Sequence, residues 1–322
     1  MKILVTGGAG YIGSVVAEQL LERGDTVIVV DNLSTGKRAH VPRDARFVQC
    51  DVGDVERITA LLRDNAVDVV MHFAAASLVG ESMSDPEHYF QNNVAQTFHL
   101  LKAMRAAGCS RLIFSSTAAV YGQPIHIPIT EEHPTAPINP YGLSKLMMEQ
   151  ALAWYGQAYG FRYTIFRYFN AAGATTHHGE DRDVETHLIP LLLQTALGRR
   201  DTFTLYGDDY DTPDGTCIRD YIHVADIADA HIRAIAHLEK RPAAIYNLGT
   251  GKGSSNREVI DMVKEVSGKD LNIQTGSRRA GDPGILVASA QKAREELGWQ
   301  PQYSDLRQIV ESAWRFNMTN DK

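Results

Sequence analysis

The chain has 322 residues, a formal net charge of -7, 44% hydrophobic residues and three cysteines. That length can hold a large core and predicts two domains, while the negative balance argues against nucleic acid or an anionic membrane as the principal partner. Cys50, Cys109 and Cys217 are too few and too scattered for a disulfide framework or zinc cluster, no apolar run approaches the roughly 20 residues of a membrane span, and MKILVTGG enters a strand directly instead of a signal peptide, so the expected location is cytoplasmic.

Residues 2–6, KILVT, are a short apolar run without polar alternation, the pattern of a strand covered on both faces. Gly7, Gly10 and Gly13 follow at GxxGxxG spacing, and Ile12, Val15, Val16, Leu20 and Leu21 then mark a helix whose C-cap is Gly24. Glycines there permit a tight turn and let the backbone approach a pyrophosphate at a helix N-terminus, so the arrangement predicts a dinucleotide site. A second strand, 26–30, ends at Asp31, 18 residues beyond Gly13. A carboxylate at that point accepts hydrogen bonds from adenosine ribose hydroxyls and repels a 2′-phosphate, which points to NAD over NADP. Lys37 and Arg38, just beyond it, read as a solvated loop.

Further strands are predicted at 67–75, 111–116 and 163–170, with helices near 54–63, 92–107 and 141–158. Such alternation implies right-handed crossovers and an α/β fold, a doubly wound parallel Rossmann sheet with its ligand at the strand C-termini. In the third of these helices Tyr141 and Lys145 stand four residues apart on one face, where the ammonium can favour the ionised phenol. Tyrosine titrates near 10, and lowering it by ~3 units takes ~4 kcal/mol, which a lysine and a nicotinamide cation can supply together in a desolvated cleft.

Beyond residue 170 the pattern changes. The polar stretch 171–187 leads into a second, smaller α/β domain for the substrate, with a helix near 188–197 and an extended segment at 202–207; residues 221–238 read as a helix and 244–249 as a strand returning to the first domain. The predicted division is 1–171, with the segment about 218–249 returning to it, as the NAD-binding domain, and 172–217 with 250–322 as the substrate domain. Clefts between domains are where small-molecule sites concentrate. His177 and His178 are adjacent, with no H-x-x-x-H spacing or carboxylate partner, so no metal site is expected.

TGGAGYIG (6–13), VVDNLSTG (29–36), FSSTAAVYG (114–122), YGLSK (141–145), RYFNAAG (167–173), IRDYIHV (218–224), YNLGTG (246–251) and RRAGD (278–282) stand in order along essentially the whole chain. In this set the chain resembles the extended short-chain dehydrogenase/reductase family, and within it the enzymes that epimerise UDP-sugars. The resemblance implies NAD as cofactor and inversion at C4 of UDP-glucose and UDP-galactose through a transient 4-keto sugar. Tyr141 would take the 4-hydroxyl proton, Lys145 would hold the nicotinamide ribose and lower the tyrosine pKa, and Thr117 would hydrogen-bond the reacting oxygen. Cofactor contacts are implied for Gly7, Gly10, Tyr11, Ile12, Gly13, Asp31, Asn32, Ser34, Gly36, Asp51, Val52, Phe73, Ala74, Ala75, Asn92, Ser115, Tyr141, Lys145 and Tyr168. Substrate contacts are implied for Thr117, Tyr141, Phe169, Asn170, His187, Leu188, Tyr206, Arg219, Arg279, Asp282 and Leu286, with Tyr206 stacked on uracil and the arginines on the diphosphate. A homodimer joined through the helices near 92–107 and 141–158 as a four-helix bundle is expected on the same ground.

Related 4,6-dehydratases carry Asp-Glu after the threonine, whereas this chain has Ala118 and Ala119, which move no proton. Three positions depart from the family pattern: Ser77 stands where many members have lysine, His187 where an asparagine is common, and Leu286 where a tyrosine often closes the pocket beside the sugar 2-substituent. Two other readings stay open. A 4-epimerase of UDP-N-acetylglucosamine, UDP-glucuronate or UDP-xylose would differ only in the sugar pocket, and a non-catalytic NAD-binding regulator need not keep Thr117, Tyr141 and Lys145 together.

Overall fold

The computed structural model describes residues 1–279 and 282–319. Its strands, in chain order, are β1 (Lys2–Thr6), β2 (Thr26–Asp31), β3 (Arg46–Gln49), β4 (Val69–His72), β5 (Arg111–Thr117), β6 (Arg162–Tyr168), β7 (Asn170–Ala172), β8 (Phe203–Tyr206), β9 (Ile218–His223), β10 (Ala243–Leu248), β11 (Gly253–Ser255), β12 (Ile273–Gly276) and β13 (Ile285–Leu286). Seven of them form one sheet in the order β10-β6-β5-β4-β1-β2-β3, with every neighbouring pair parallel.

The continuous apolar runs of β1, β2 and β4 are buried because helices cover both faces of this sheet. Side chains alternate between the two layers at period two. Ile3, Val5 and Met71 pack with Val15, Val16 and Leu20 of helix Tyr11–Glu22 and Ile227 and Leu238 of helix Val224–Lys240. Leu4 and Val70 face the opposite layer, with Ile58 and Leu62 of helix Val55–Asp64, Leu101 of helix Gln96–Ala107, and Met148 and Leu152 of helix Pro140–Tyr159. That last helix starts cleanly, since Asn139 caps it by accepting from Gly142 N at 2.8 Å and Pro140 supplies a pre-set first turn.

From β1 the chain runs outward through β2 and β3, then crosses to β4 on the other side of β1 and continues through β5 and β6. The order therefore reverses between β1 and β4, and a crevice opens there at the strand C-termini, where ligands bind in sheets of this kind.

Several elements differ from the sequence expectation. β3 is a half-exposed edge strand with no apolar run to announce it. The strand expected at 67–75 ends at His72, after which Phe73 N bonds to Thr6 O at 3.0 Å and the chain turns across the end of β1. The helix expected at 92–107 begins as a π-helical turn, Phe90–Ala95, before regular helix at Gln96. Residues 221–223 are not helical: β9 pairs with β7, β11 and β13, and the helix starts at Val224, where the His223 ring accepts from Ala225 N at 3.1 Å. A separate core of Ile189, Leu192, Leu193, Val259, Val263, Ile309 and Val310 joins helices Leu188–Ala196, Asn256–Ser267 and Leu306–Thr319, beside the parallel pair β8 and β12.

Candidate active site

The turn after β1 leaves no room for side chains at Gly7, Gly8 or Gly13, a Cβ on Gly8 falling 2.8 Å from buried Val29 Cγ1. Gly7 has φ +69°, and a Cβ there would lie 2.5 Å from Ala74 N; a Cβ on Gly13 would lie 2.9 Å from Gly7 C. Gly10 is different. Its backbone is ordinary, with φ -89° and ψ 176°, and within 4 Å a Cβ would meet only Gly7 O, at 3.3 Å. The fold itself thus tolerates a methyl group at Gly10, and the open space lies before a helix N-terminus that favours anions.

Around this turn many of the other predicted cofactor residues follow the ends of β1, β2, β3 and β4. Asp31 accepts from Ala9 N at 3.0 Å and Leu33 N at 2.8 Å, one bond per oxygen, so each oxygen keeps a lone pair for a further donor. Asn32 donates to Asp51 at 3.2 Å and accepts from Ser34 N at 2.9 Å; Val52 is buried beside them, and Gly36 lies against Ala9. Ile12 packs on the core, and the Tyr11 hydroxyl donates to Gly173 O at 2.6 Å. Phe73 lies 4.9 Å from the His231 ring, ahead of half-buried Ala74 and Ala75, while Asn92 donates to Asn93 at 3.0 Å. A bare turn, a helix N-terminus and a ribose-length carboxylate together fit a dinucleotide.

Beside this region opens a cavity of about 830 Å³ whose wall includes every predicted substrate residue: Thr117, Tyr141, Phe169, Asn170, His187, Leu188, Tyr206, Arg219, Arg279, Asp282 and Leu286. Tyr11, Ile12 and Tyr168 from the cofactor set line it too. Thr117 ends β5 on the same cavity wall as the Tyr141 phenol, and its side-chain oxygen accepts from Ala119 N at 3.1 Å. Lys145 lies one turn after Tyr141, buried, with Nζ donating to Ser115 O at 2.8 Å. Tyr168 presents its hydroxyl to His231 Nε2 at 2.6 Å.

Burial dominates the electrostatics. It pushes the Tyr141 phenol up from its ordinary range, opposed by the Thr117 side chain and the Arg182 charge. It pushes Lys145 down to about 7, opposed by Glu149 one turn further along. Glu149 is itself held by Arg167, with Nη2 at 2.6 Å, and by Ser116 at 2.5 Å.

At the far end of the cavity Arg219 pairs with Asp282 at 2.5 Å, and the Arg279 guanidinium covers one face of Tyr206 at 4.2 Å. Ala280 and Gly281 of the RRAGD motif lie outside the described residues. Leu286 is aligned with Arg219 across β13 and β9 and packs near Phe169 and Ala118. His187 is drawn to Glu185 through Nδ1 at 2.7 Å.

The sequence reading missed Arg182 and Glu180 on the cavity wall. Arg182 Nη1 donates to Ser77 Oγ at 3.3 Å, so a cation reaches Ser77 from a distant loop. Ligand atoms of Glu180, Glu185 and His187 lie within 4.8 Å of one another, a grouping that sequence spacing did not reveal, and Arg182 Nε is bonded to Glu180 at 2.8 Å. Asn93 was also missed; its amide joins Ala76 O at 2.9 Å to Ser144 Oγ at 3.0 Å, tying the segment after β4 to the Tyr141 helix.

A sequence profile for the NAD-dependent epimerase/dehydratase family matches residues 3–249. This chain belongs to that family. It is 52% identical over 316 residues to the UDP-glucose 4-epimerase of Corynebacterium glutamicum, covering 98% of this chain and 95% of the relative. Among solved structures, the UDP-glucose 4-epimerase from Brucella ovis in complex with NAD superposes with a TM-score of 0.95 at 47% identity, covering 97% of each chain. The UDP-glucose 4-epimerase from Bifidobacterium longum in complex with NAD+ and UDP also gives 0.95, at 38% identity and 99% coverage of each chain.

Proposed function

We propose that this chain interconverts UDP-glucose and UDP-galactose by inverting C4, with NAD held at the glycine turn. The observation that carries the reading is that Thr117 and Tyr141 share the wall of one cavity with Arg219 and Arg279, with Ala118 and Ala119 in place of a dehydratase acid and base. NAD, when bound, would supply a reversible hydride acceptor for C4, so that inversion would need no net oxidation. Gly7, Gly10 and Gly13 would hold its pyrophosphate, Asp31 its adenosine ribose and Lys145 its nicotinamide ribose.

The chain's own groups manage the proton. Tyr141 Oη receives the 4-hydroxyl proton as hydride leaves and returns it when hydride comes back. Thr117 Oγ1, already accepting from Ala119 N, uses its O–H to hold the reacting oxygen in line. Arg219 and Arg279 offer their donor forks to the diphosphate, with Asn170 and Asp282 beside them on the UDP moiety, which requires Arg219 to share its guanidinium between Asp282 and phosphate.

The division into a NAD-binding part (1–171 with about 218–249) and a nucleotide-sugar part (172–217 with 250–322) belongs to this proposal, since it places one ligand at each end of the crevice. So does a homodimer: Phe98, Leu143, Met147 and Trp154 are exposed on helices Gln96–Ala107 and Pro140–Tyr159, Trp154 at 69%, an apolar face suited to a second copy. No helix among the described residues is long and apolar enough to cross a membrane, and the three cysteines are free thiols, which suits a reducing cytoplasm. Conversion of UDP-galactose by purified protein, read by a coupled UDP-glucose dehydrogenase, tests the activity; absence of turnover with NAD bound would reject it.

A further inference from the structure

The polar loop between β7 and helix Leu188–Ala196, residues 173–187, is fastened at both ends to helices. At its start Gly173 O accepts from the Tyr11 hydroxyl at 2.6 Å, Ala174 N donates to Ser312 Oγ at 3.1 Å and Thr175 Oγ1 donates to Glu18 at 3.0 Å. At its end the Glu185 carboxylate accepts from Thr186 N at 2.6 Å and His187 N at 2.7 Å, where the chain turns into the helix that begins at Leu188. Between these anchors the side chains reach to two sides. Asp181 pairs with Lys37 Nζ at 3.0 Å and lies 3.4 Å from His40 Nε2, and Asp183 lies 3.4 Å from Lys37 Nζ. Arg182, between the two aspartates, donates instead to Ser77 Oγ at 3.3 Å.

Lys37 and His40 follow β2 and Ser77 follows β4, so residues 181–183 join the two banks of the crevice. The glycine turn touches both banks. Lys37 N donates to Ala9 O at 3.0 Å, and Gly7 lies against the backbone of Ala74 in the segment that leads to Ser77. Resting on the placement of NAD at that turn, we propose that residues 173–187 are a strap across the cofactor crevice, with Lys37, Asp181 and Asp183 as its catch. The ends are fixed by hydrogen bonds to helices, whereas the catch is exposed: the Lys37 side chain at 36%, Asp181 at 50% and Asp183 at 90%. Exposed pairs of this kind are individually weak and are screened by salt, so the middle of the loop opens locally at small cost. Opening admits NAD. Closing keeps it in place between the two hydride transfers that C4 inversion needs, through residues that stay clear of the reacting atoms.

The test is the rate at which isotope-labelled NAD leaves the holoenzyme under a chase of unlabelled NAD, read by native mass spectrometry. Hydrogen-exchange mass spectrometry of residues 173–187 on the same samples reads the strap itself. Lys37→Glu and Asp181→Lys each set like charges across the catch, so each should speed NAD loss by roughly threefold to tenfold and raise exchange in the loop. The sign in Asp181→Lys is diagnostic, because an added cation acting directly on a pyrophosphate would slow NAD loss, whereas an opened strap speeds it. Combining the two substitutions restores an opposite-charge pair of the same combined reach and should bring both readouts most of the way back to wild type. That recovery also shows that neither substitution acts by damaging the fold. Wild-type NAD loss in both single variants, slower loss in Asp181→Lys, faster loss without a change in loop exchange, or a double variant no slower than either single one would overturn the proposal. Wild-type NAD retention in Gly10→Ala would instead reject the placement of the cofactor, and loop exchange would still report whether the pairs hold the strap shut.

Discussion

Adding one methyl group at each of two neighbouring glycines separates what the fold requires from what the cofactor requires. At Gly13 the new carbon would sit 2.9 Å from both Gly7 C and Gly8 Cα, and closer still to the Gly7 carbonyl oxygen. Carbon contacts are ordinarily about 3.5–4.0 Å, so the turn must yield by roughly 0.6 Å to clear the carbons and further to clear the oxygen. It has little room to do so, because Gly7 already lies against the backbone of Ala74. Overpacking of this kind costs about 1–3 kcal/mol, which is roughly 5-fold to 150-fold in a binding constant where the ligand needs the undistorted turn. Gly13→Ala should therefore lower the Tm of cofactor-stripped protein and weaken NAD binding by about that factor. Gly10→Ala meets only one protein atom, at 3.3 Å, so the stripped protein should keep its Tm while NAD binding falls, since the methyl group enters the space before the helix N-terminus. Differential scanning fluorimetry of stripped protein and native mass spectrometry of the NAD complex read the two effects separately. Wild-type NAD retention in Gly10→Ala would refute the placement of the pyrophosphate at this turn.

Tyr141→Phe should leave fold and nucleotide binding intact and lower kcat by roughly 100-fold or more, the range for losing a positioned acid/base; near-normal turnover in steady-state assays would reject the base. Lys145→Ala should impair chemistry and move the pH profile upward, because a cation beside the phenol is lost. At Leu286, half-buried on the cavity wall, tyrosine should selectively lower activity on UDP-N-acetylgalactosamine relative to UDP-galactose and glycine should raise it, by roughly 10-fold to 200-fold at most. Unchanged ratios in both variants would shift attention to His187. Light scattering at micromolar concentration should report a dimer for the wild-type chain and a monomer for Trp154→Glu; a wild-type monomer would contradict the proposed interface.

The large sheet was legible because its inner strands are buried on both faces and carry unbroken apolar runs, as in Val27–Val30. β3 escaped notice for the opposite reason, being an edge strand with half-exposed Phe47 and Val48. β9 was absorbed into a predicted helix because IRDYIH runs without a break into a strongly periodic segment. At the site, the glycine turn and the Tyr141 helix announce themselves through short-range spacing. Arg182 does not, since it stands in an unpatterned loop and its hydroxyl partner Ser77 is 105 residues away. The Glu149–Arg167 pair left a fainter signal: Arg167 is a charged residue inside the apolar run of β6, and a buried charge needs a partner.

The central claim is that hydride leaves C4, stays on enzyme-held NAD and returns to the same carbon. Its most direct measurement is conversion of UDP-galactose in deuterium oxide without added cofactor, followed by NMR of the product. The account predicts UDP-glucose that retains the substrate's hydrogen at C4, with no solvent deuterium there. Deuterium at C4, a 4-keto-6-deoxy product, or turnover that starts only on addition of external cofactor would contradict it.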